Sequence, residues 1–337
     1  MYKGKKILIT GGTGSLGQAL TKRLLEQDVN TIRILSRNES KQIEMENDFN
    51  DSRLRFFLGD IRDEERLVRA TEDIDIVFHT AALKHVTKIE YNPFEGIKTN
   101  VMGSQNIINA CLINNVEKAI CVSTDKAVSP LNTYGATKLL MEKLFVTANN
   151  YIDPEKYRTK FIALRYGNVV GSSGSVIPKF IQQLKNKKEI TVTDLQMTRF
   201  SITMDEALDF ILQATEISKG SEIFIPKLKA YSLIDIKNTL NDIFGDYGTN
   251  NIGIQPGEKL HEILINKEEI RYTWDFKNMY ILTNPLYPTF NPNLINQTYD
   301  GIKKVENMDA YSSDNVEKIP QNELKKIIQN YIDIQNE

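Results

Sequence analysis

Ile7-Leu8-Ile9-Thr10-Gly11-Gly12-Thr13-Gly14-Ser15-Leu16-Gly17 is the stretch on which the fold turns. A short run of β character enters a glycine triplet, Gly11, Gly14 and Gly17, that opens a helical pattern. This spacing suits a tight turn, a close approach of backbone to a pyrophosphate, and close packing of helix on strand. The helix N-terminal amides and dipole then face the phosphates. A glycine triplet alone is weak evidence and also fits a turn without a ligand. Its place after the first strand of an alternating pattern is what makes Gly11, Thr13, Gly14, Ser15, Leu16 and Gly17 candidates for holding a dinucleotide.

Outward from this turn, β-type runs recur at Lys6–Thr10, Ile32–Ser36, Leu54–Leu58, Ile74–His79, Lys118–Ser123 and Phe161–Arg165. Helical patterns fill the intervals at Leu16–Gln27, Lys41–Phe49, Asp63–Ala70, Pro93–Asn114 and Thr133–Asn150. The rhythm predicts an α/β fold, a Rossmann-type doubly wound parallel sheet with helices on both faces. After Tyr166 it breaks: a Gly/Ser/Asn-rich loop at Gly167–Ser175 precedes a helix at Val176–Lys185, and Met204–Ser218 reads as a helix returning to the sheet. Glu222–Pro226, Ile234–Phe244, Asn251–Gln255 and Leu260–Leu264 read as a smaller mixed lobe. The expected division is a dinucleotide domain at 1–170, with 194–220 packing back on it. A discontinuous substrate-binding domain then comprises 171–193 and 221–337. Beyond Thr283 only Asn322–Ile334 has helical spacing, and there is no internal repeat.

Forty-two basic residues against 44 acidic ones leave a formal charge of −2. That excludes the basic footprint of a nucleic-acid binder, so a charged ligand has to be held locally. Cys111 and Cys121 lie in apolar surroundings and read as reduced core thiols. No apolar run reaches the roughly 18 residues of a membrane span, and the start Met1-Tyr-Lys-Gly-Lys-Lys6 leads directly into a strand. The expected location is the cytoplasm, with no membrane contact. His79, His85 and His261 lack metal-ligand spacing, so no metal is expected.

The second strand ends Ser36-Arg37-Asn38, where a carboxylate would accept a bond from a ribose 2′-hydroxyl. Arg37 instead offers a permanently charged planar donor to a 2′-phosphate, with Lys41 in support. NADP is therefore favoured over NAD, unless both cations are solvated charges beside Glu39 and Glu44. Asp60, followed by Ile61 at the end of the third strand, either accepts a bond from an adenine amine or caps the next helix.

Ser123-Thr124-Asp125-Lys126 precedes Tyr134-Gly-Ala-Thr-Lys138. Tyr134 and Lys138 share a helix face, where the ammonium is expected to lower the phenol toward working pH. Asp125 and Lys126 add an acid/base pair that simple hydride transfer does not need. The alternative is a surface ion pair at a strand end.

Tyr134 and Lys138 in a dinucleotide-binding chain resemble the short-chain dehydrogenase/reductase superfamily, in its extended branch acting on nucleotide sugars. Further blocks carry the resemblance: Ala81-Ala82-Leu-Lys84-His-Val86, Arg165-Tyr-Gly-Asn168-Val169, Met197-Thr-Arg199-Phe200 and Pro256-Gly-Glu258-Lys-Leu-His-Glu262. With the glycine turn and the two catalytic blocks they look like the UDP-N-acetylglucosamine 4,6-dehydratases over roughly residues 3–285. The match is closest to the C5-inverting type that opens pseudaminic acid synthesis. Retaining dTDP-glucose dehydratases carry Asp-Glu in place of Asp125-Lys126, and membrane-anchored retaining relatives replace the Tyr by Met.

The resemblance implies a hydro-lyase. NADP oxidises C4 of the sugar, a base takes the acidified C5 proton, an acid helps the C6 hydroxyl leave as water, and hydride returns to C6. Tyr134 then exchanges the C4 hydroxyl proton, Lys138 orients the nicotinamide ribose, and Ser123 or Thr124 holds substrate. Asp125 is the expected acid and Lys126 the expected C5 base. Ala81, Ala82 and Lys84 are implied at the cofactor and the substrate mouth. Arg199 is implied at the diphosphate, where guanidinium geometry fits, and Glu258 at the uridine ribose. Asn168, Ser175 and Val176 border the nucleotide sugar. The implied partners are UDP-N-acetylglucosamine and further copies of the chain, as a dimer or hexamer. Plainer roles stand beside these: Arg199 a solvated loop charge, Glu258 a helix-cap partner, Lys84 a surface lysine. The competing functions are a UDP-sugar 4-epimerase, a C5-retaining dehydratase and a non-catalytic NADP-sensing module.

Overall fold

A computed structural model describes residues 1–171, 176–284, 286 and 295–336. A strand covered on both faces has to be apolar on both, and the first runs of the chain meet that condition. They form β1 (Lys6–Thr10), β2 (Thr31–Ser36), β3 (Leu54–Leu58), β4 (Ile76–His79), β5 (Lys118–Val122) and β6 (Lys160–Leu164). The helices between them are α1 (Ser15–Leu25), α2 (Glu39–Phe49), α3 (Glu64–Thr71), α4 (Val86–Tyr91), α5 (Pro93–Gly96), α6 (Gly103–Ile113) and α7 (Thr133–Ala148). The stretch read as one helix from Pro93 contains a π-helical segment, Ile97–Met102, between α5 and α6.

The second half supplies β7 (Asn168–Val169), α8 (Val176–Lys185), β8 (Ile190–Val192), β9 (Thr198–Ile202), α9 (Met204–Ile217) and β10 (Glu222–Pro226). There follow β11 (Ala230–Ser232), α10 (Leu233–Phe244), β12 (Thr249–Asn251), β13 (Ile263–Ile265), α11 (Lys267–Ile270), β14 (Thr273–Phe276) and β15 (Met279–Thr283). The last elements are α12 (Ile295–Thr298), β16 (Lys303–Lys304), β17 (Tyr311–Ser312) and α13 (Gln321–Asn336).

The main sheet has the order β16-β14-β15-β10-β6-β5-β4-β1-β2-β3. The segment from β3 through β10 is parallel, and β15, β14 and β16 add antiparallel strands. The order reverses between β1 and β4, and doubly wound sheets bind ligands in the crevice at such a point. Side chains alternate across it. Ile7, Ile9, Ile34 and Phe78 join the core under α1 and α9, while Leu8, Leu35, Val77 and Cys121 join the core under α3, α6 and α7. Cys111 and Cys121 are buried free thiols, and burial pushes both upward.

One expectation is corrected here. Glu222–Pro226 reads from sequence as part of the smaller lobe, but β10 lies inside the main sheet between β6 and β15. A five-residue, mostly apolar strand carries no signal of which sheet it will enter, and its neighbour β15 comes more than fifty positions later. The smaller lobe is built from α8, α10, α13 and the β8–β12 pair around Phe180, Ile190, Ile236 and Ile328. A three-stranded sheet, β11-β9-β7, stands between lobe and main sheet. Strand β12 ends at Asn251, short of the Asn251–Gln255 run read from sequence. Among the described residues no helix is long and apolar enough to cross a membrane.

Candidate active site

The glycine turn shows why side chains are excluded. Gly11 has φ +69°, and a Cβ there would lie 2.8 Å from Ala81 Cα. A Cβ on Gly17 would lie 2.5 Å from Gly12 Cα, so α1 seats directly on the turn. Gly14 is the N-cap of α1 and brings no side chain to its first amides, which leaves them for an anion. Beyond them lies a cavity of about 580 Å³ at the C-terminal ends of β1 to β4. Gly11, Thr13, Gly14, Ser36, Arg37, Lys41, Asp60, Ile61, Ala81 and Ala82 line it, together with Asn38, Gly59 and Thr99. Leu16 packs against the core instead, Gly17 is buried, and Ser15 is exposed on the first turn of α1. The open cap and close-packed glycines suit a dinucleotide.

At the far end of this cavity Arg37 Nη1 stands 3.6 Å from Asp60 Oδ2, and Arg62 Nη2 stands 2.8 Å from the same oxygen. Burial opposes ionisation of Asp60, but the Arg62 bonds outweigh it and hold the carboxyl below its usual range. Asp60 does not cap α3; Asp63 does, accepting from Arg66 N at 3.0 Å. Ser36 Oγ accepts from Gln42 Nε2 at 3.0 Å. The loop carrying Ala81, Ala82 and exposed Lys84 is pinned by Asn100, which accepts from Leu83 N (2.8 Å) and donates to Leu83 O (3.0 Å).

The candidate catalytic block forms where β5 ends in a 3-10 turn, Asp125–Ala127, against the start of α7. Asn132 caps that helix, accepting from Gly135 N at 2.7 Å. Asp125 is fully buried, which removes the surface ion pair as an alternative. Its Oδ1 accepts from Thr124 Oγ1 (2.7 Å) and Lys126 Nζ (3.1 Å), and its Oδ2 has no partner. Lys126 Nζ also lies 3.4 Å from Asn168 Oδ1 and 3.5 Å from Glu262 Oε1. Burial would lower this lysine, yet Asp125 and then Glu262 outweigh it and raise it, so Lys126 is an ammonium here. Ser123 donates its N–H to Leu164 O, and its Oγ is buried without a partner.

Tyr134 departs from the sequence expectation. Burial pushes its phenol up to about 12; Lys126 pulls down against this, Asp125 pushes up, and a hydrogen bond with Thr124 lowers it further. The strongest cation on the phenol is thus Lys126. Lys138 turns its Nζ to Val122 O (2.6 Å) and Met141 Sδ (3.3 Å), and burial brings it down to about 8.

The outer residues divide. Arg199, on β9, is 12% exposed and is no solvated charge. It donates to Thr198 O (2.7 Å) and Leu260 O (3.1 Å), with Nε 3.7 Å from Glu262 Oε1. Glu258 is exposed and accepts from Gln255 N at 3.2 Å, closing a turn rather than capping a helix. Val176 begins α8 beside the lobe core, and Ser175 lies outside the described residues. His79 bridges Thr10 Oγ1 (2.8 Å) and Ser104 Oγ (3.0 Å), and burial lowers it to about 3, a neutral core imidazole. His261 pairs with Thr198 Oγ1 at 2.8 Å. Among the described residues no cluster of three metal-ligating side chains exists.

Sequence reasoning gives no role to Glu262, Thr99 or Asn100. Glu262 ends a block already singled out, so its position was visible. Its nearness to Lys126 was not.

Residues 7–284 match the polysaccharide biosynthesis protein family. The chain is 46% identical over 319 residues to a UDP-N-acetylglucosamine 4,6-dehydratase (inverting) of Campylobacter jejuni, covering 94% of each protein. It is 38% identical over 344 residues to a UDP-glucose 4-epimerase of Rickettsia bellii, covering 100% of this chain and 99% of the relative. Among solved structures, Pen from Bacillus thuringiensis superposes with a TM-score of 0.88 at 37% identity, over 98% of both chains.

Proposed function

The chain belongs to the polysaccharide biosynthesis protein family, and on that footing we propose that it is a hydro-lyase. It removes water across C5 and C6 of UDP-N-acetylglucosamine and inverts C5. The observation that carries this is the Asp125–Lys126 pair, 3.1 Å apart with Asp125 fully buried and Lys126 half-buried, beside Tyr134. A C4 epimerase needs Tyr134 and Lys138 only; burying a further carboxylate against an ammonium has a cost that elimination chemistry justifies.

The residues divide the work. Gly11, Thr13, Gly14 and the α1 amides hold the pyrophosphate of a nicotinamide dinucleotide, and Arg37 with Lys41 selects NADP. That cofactor, when bound, supplies the hydride exchange at C4 and C6. Tyr134 takes the C4 hydroxyl proton. Lys126 and Asp125 already share a proton contact, so ammonium and carboxylate can exchange to amine and acid. The amine then accepts the C5 proton while Asp125 gives the proton it took at Oδ1 to the C6 oxygen. The C5–H and C6–O bonds break, the C5–C6 double bond forms, water leaves, and the pair returns to ammonium and carboxylate. Arg199 serves the diphosphate, Asn168 the sugar, and Glu258 the ribose.

The name of the Rickettsia relative favours a second reading, a 4-epimerase. Incubation with UDP-N-acetylglucosamine in deuterated water, followed by NMR, separates the two. The dehydratase gives a 4-keto-6-deoxy product with deuterium at C5; an isomer with C6 still hydroxylated would overturn it. The enzyme works in the cytoplasm as a homo-oligomer, a state favoured by exposed Tyr91, Phe94 and Met102 and read by light scattering.

A further inference from the structure

Buried carboxylates elsewhere in this fold are fully bonded. Both oxygens of Glu142 accept from Arg165, both oxygens of Glu269 accept from its other edge, and Glu222 accepts from Lys219 N, Gly220 N and Tyr299 Oη. Among the described residues only Asp125 and Glu262 bury a carboxylate oxygen without a partner. Leaving such an atom unpaired costs about 1–3 kcal/mol, more when charged, so a purely structural acid would not be placed this way. Both of these flank Lys126.

Glu262 reaches the site from the other side. Its backbone is clamped by Ser313, whose Oγ accepts from Glu262 N (2.9 Å) and whose N donates to Glu262 O (2.8 Å). Its Oε1 faces two cations at once, Lys126 Nζ at 3.5 Å and Arg199 Nε at 3.7 Å. Asp125 is adjacent to Lys126 in the chain and by itself leaves a four-carbon side chain free to swing. Asn168 Oδ1 at 3.4 Å and, as a second carboxylate from a distant segment, Glu262 fix the direction of Nζ together.

We propose that Glu262 is a positioning residue for elimination, a single carboxylate that aims Lys126 at C5 and ties it to Arg199 on the nucleotide side. The proposal rests on the reading of Asp125 and Lys126 as the elimination pair. Glu262 bears on the C4 oxidation only indirectly, through Lys126, the cation beside the Tyr134 phenol. Loss of the carboxylate therefore weighs far more on elimination than on C4 oxidation.

The test is rapid mixing of holoenzyme with UDP-N-acetylglucosamine, following reduced-nicotinamide absorbance and, in quenched samples, water loss by mass. For Glu262→Gln the oxidation phase stays within about threefold of wild type while water loss slows about a hundredfold, the scale of a misplaced reacting group. Reduced nicotinamide then accumulates, kcat falls more than KM changes, and Glu262→Asp recovers part of the loss. Equal slowing of both phases, or of neither, overturns the proposal. Should Glu262→Gln fail to fold by circular dichroism, Glu262→Asp carries the same comparison of phases. A wild-type enzyme that forms reduced nicotinamide but never loses water refutes the dehydratase reading instead, and the wild-type trace alone shows it.

Discussion

Gly135 and Lys126 are in contact at a distance that admits no side chain: a Cβ on Gly135 would lie 2.1 Å from the Lys126 carbonyl oxygen. Helix α7, which carries Tyr134 and Lys138, is thereby pressed onto the turn that carries Asp125 and Lys126. Both halves of the proposed chemistry depend on this approach.

In most helices Gly→Ala stabilises, by about 1 kcal/mol. Gly135→Ala has the opposite sign, because the new methyl meets a backbone carbonyl; the expected loss is about 1–3 kcal/mol. Denaturant midpoints measure it, and a stabilised variant would show that the contact is not tight.

Lys138 separates stability from activity. Its shift from 10.5 to about 8 through burial is a penalty of about 3 kcal/mol on the charged form. The lost bond to Val122 O gives back about 1. Between pH 8 and 10.5 the unfolded state binds more protons than the folded one, so wild-type stability rises with pH across that window. Lys138→Met in the cofactor-free protein is therefore more stable than wild type at pH 7, and the advantage fades by pH 10.5, while turnover is lost. Thermal melts at pH 7 and 10 check this. An advantage independent of pH contradicts it.

Asp125→Asn removes the proposed acid without changing side-chain size. Water loss from UDP-N-acetylglucosamine falls by about 10²–10⁴, the usual contribution of a positioned acid or base. Product mass reports it directly, and a normal rate would exclude Asp125 from the acid role.

Arg37→Ala weakens NADP binding about ten- to a hundredfold, the worth of a charged hydrogen bond, and leaves NAD within about threefold. Titration calorimetry with both cofactors decides it. Equal losses would put Arg37 on a part that both cofactors share, and no loss would make it a solvated charge paired with Asp60.

Much of the parallel half was legible because its strands are continuous apolar runs with helical patterns between them. β1 and β3 begin and end where their sequence patterns do, and β2 and β5 within a residue. The place of Glu222–Pro226 was not legible, since strand order is a long-range property. In the site, Tyr134, Asp125 and Lys126 announce themselves through local spacing, and the structure gathers them. The direction of Lys138 depends on Val122 and Met141, packing partners that no helical periodicity reveals. Glu262 stays silent for a related reason: only the fold brings a residue of the later lobe beside a turn at the end of β5.

The position of β10 sets a timetable for synthesis. A chain emerging N-terminus first can complete the glycine turn, its cavity and the Asp125–Lys126–Tyr134 cluster before β15 and Ser313 exist. During that interval Glu222–Pro226, apolar from Ile223 onward and buried on both faces in the finished protein, is an open sheet edge ready to pair with another chain. Late translation therefore closes a sticky border and, through Ser313, seats Glu262 against Lys126. Hazard and incompleteness end together.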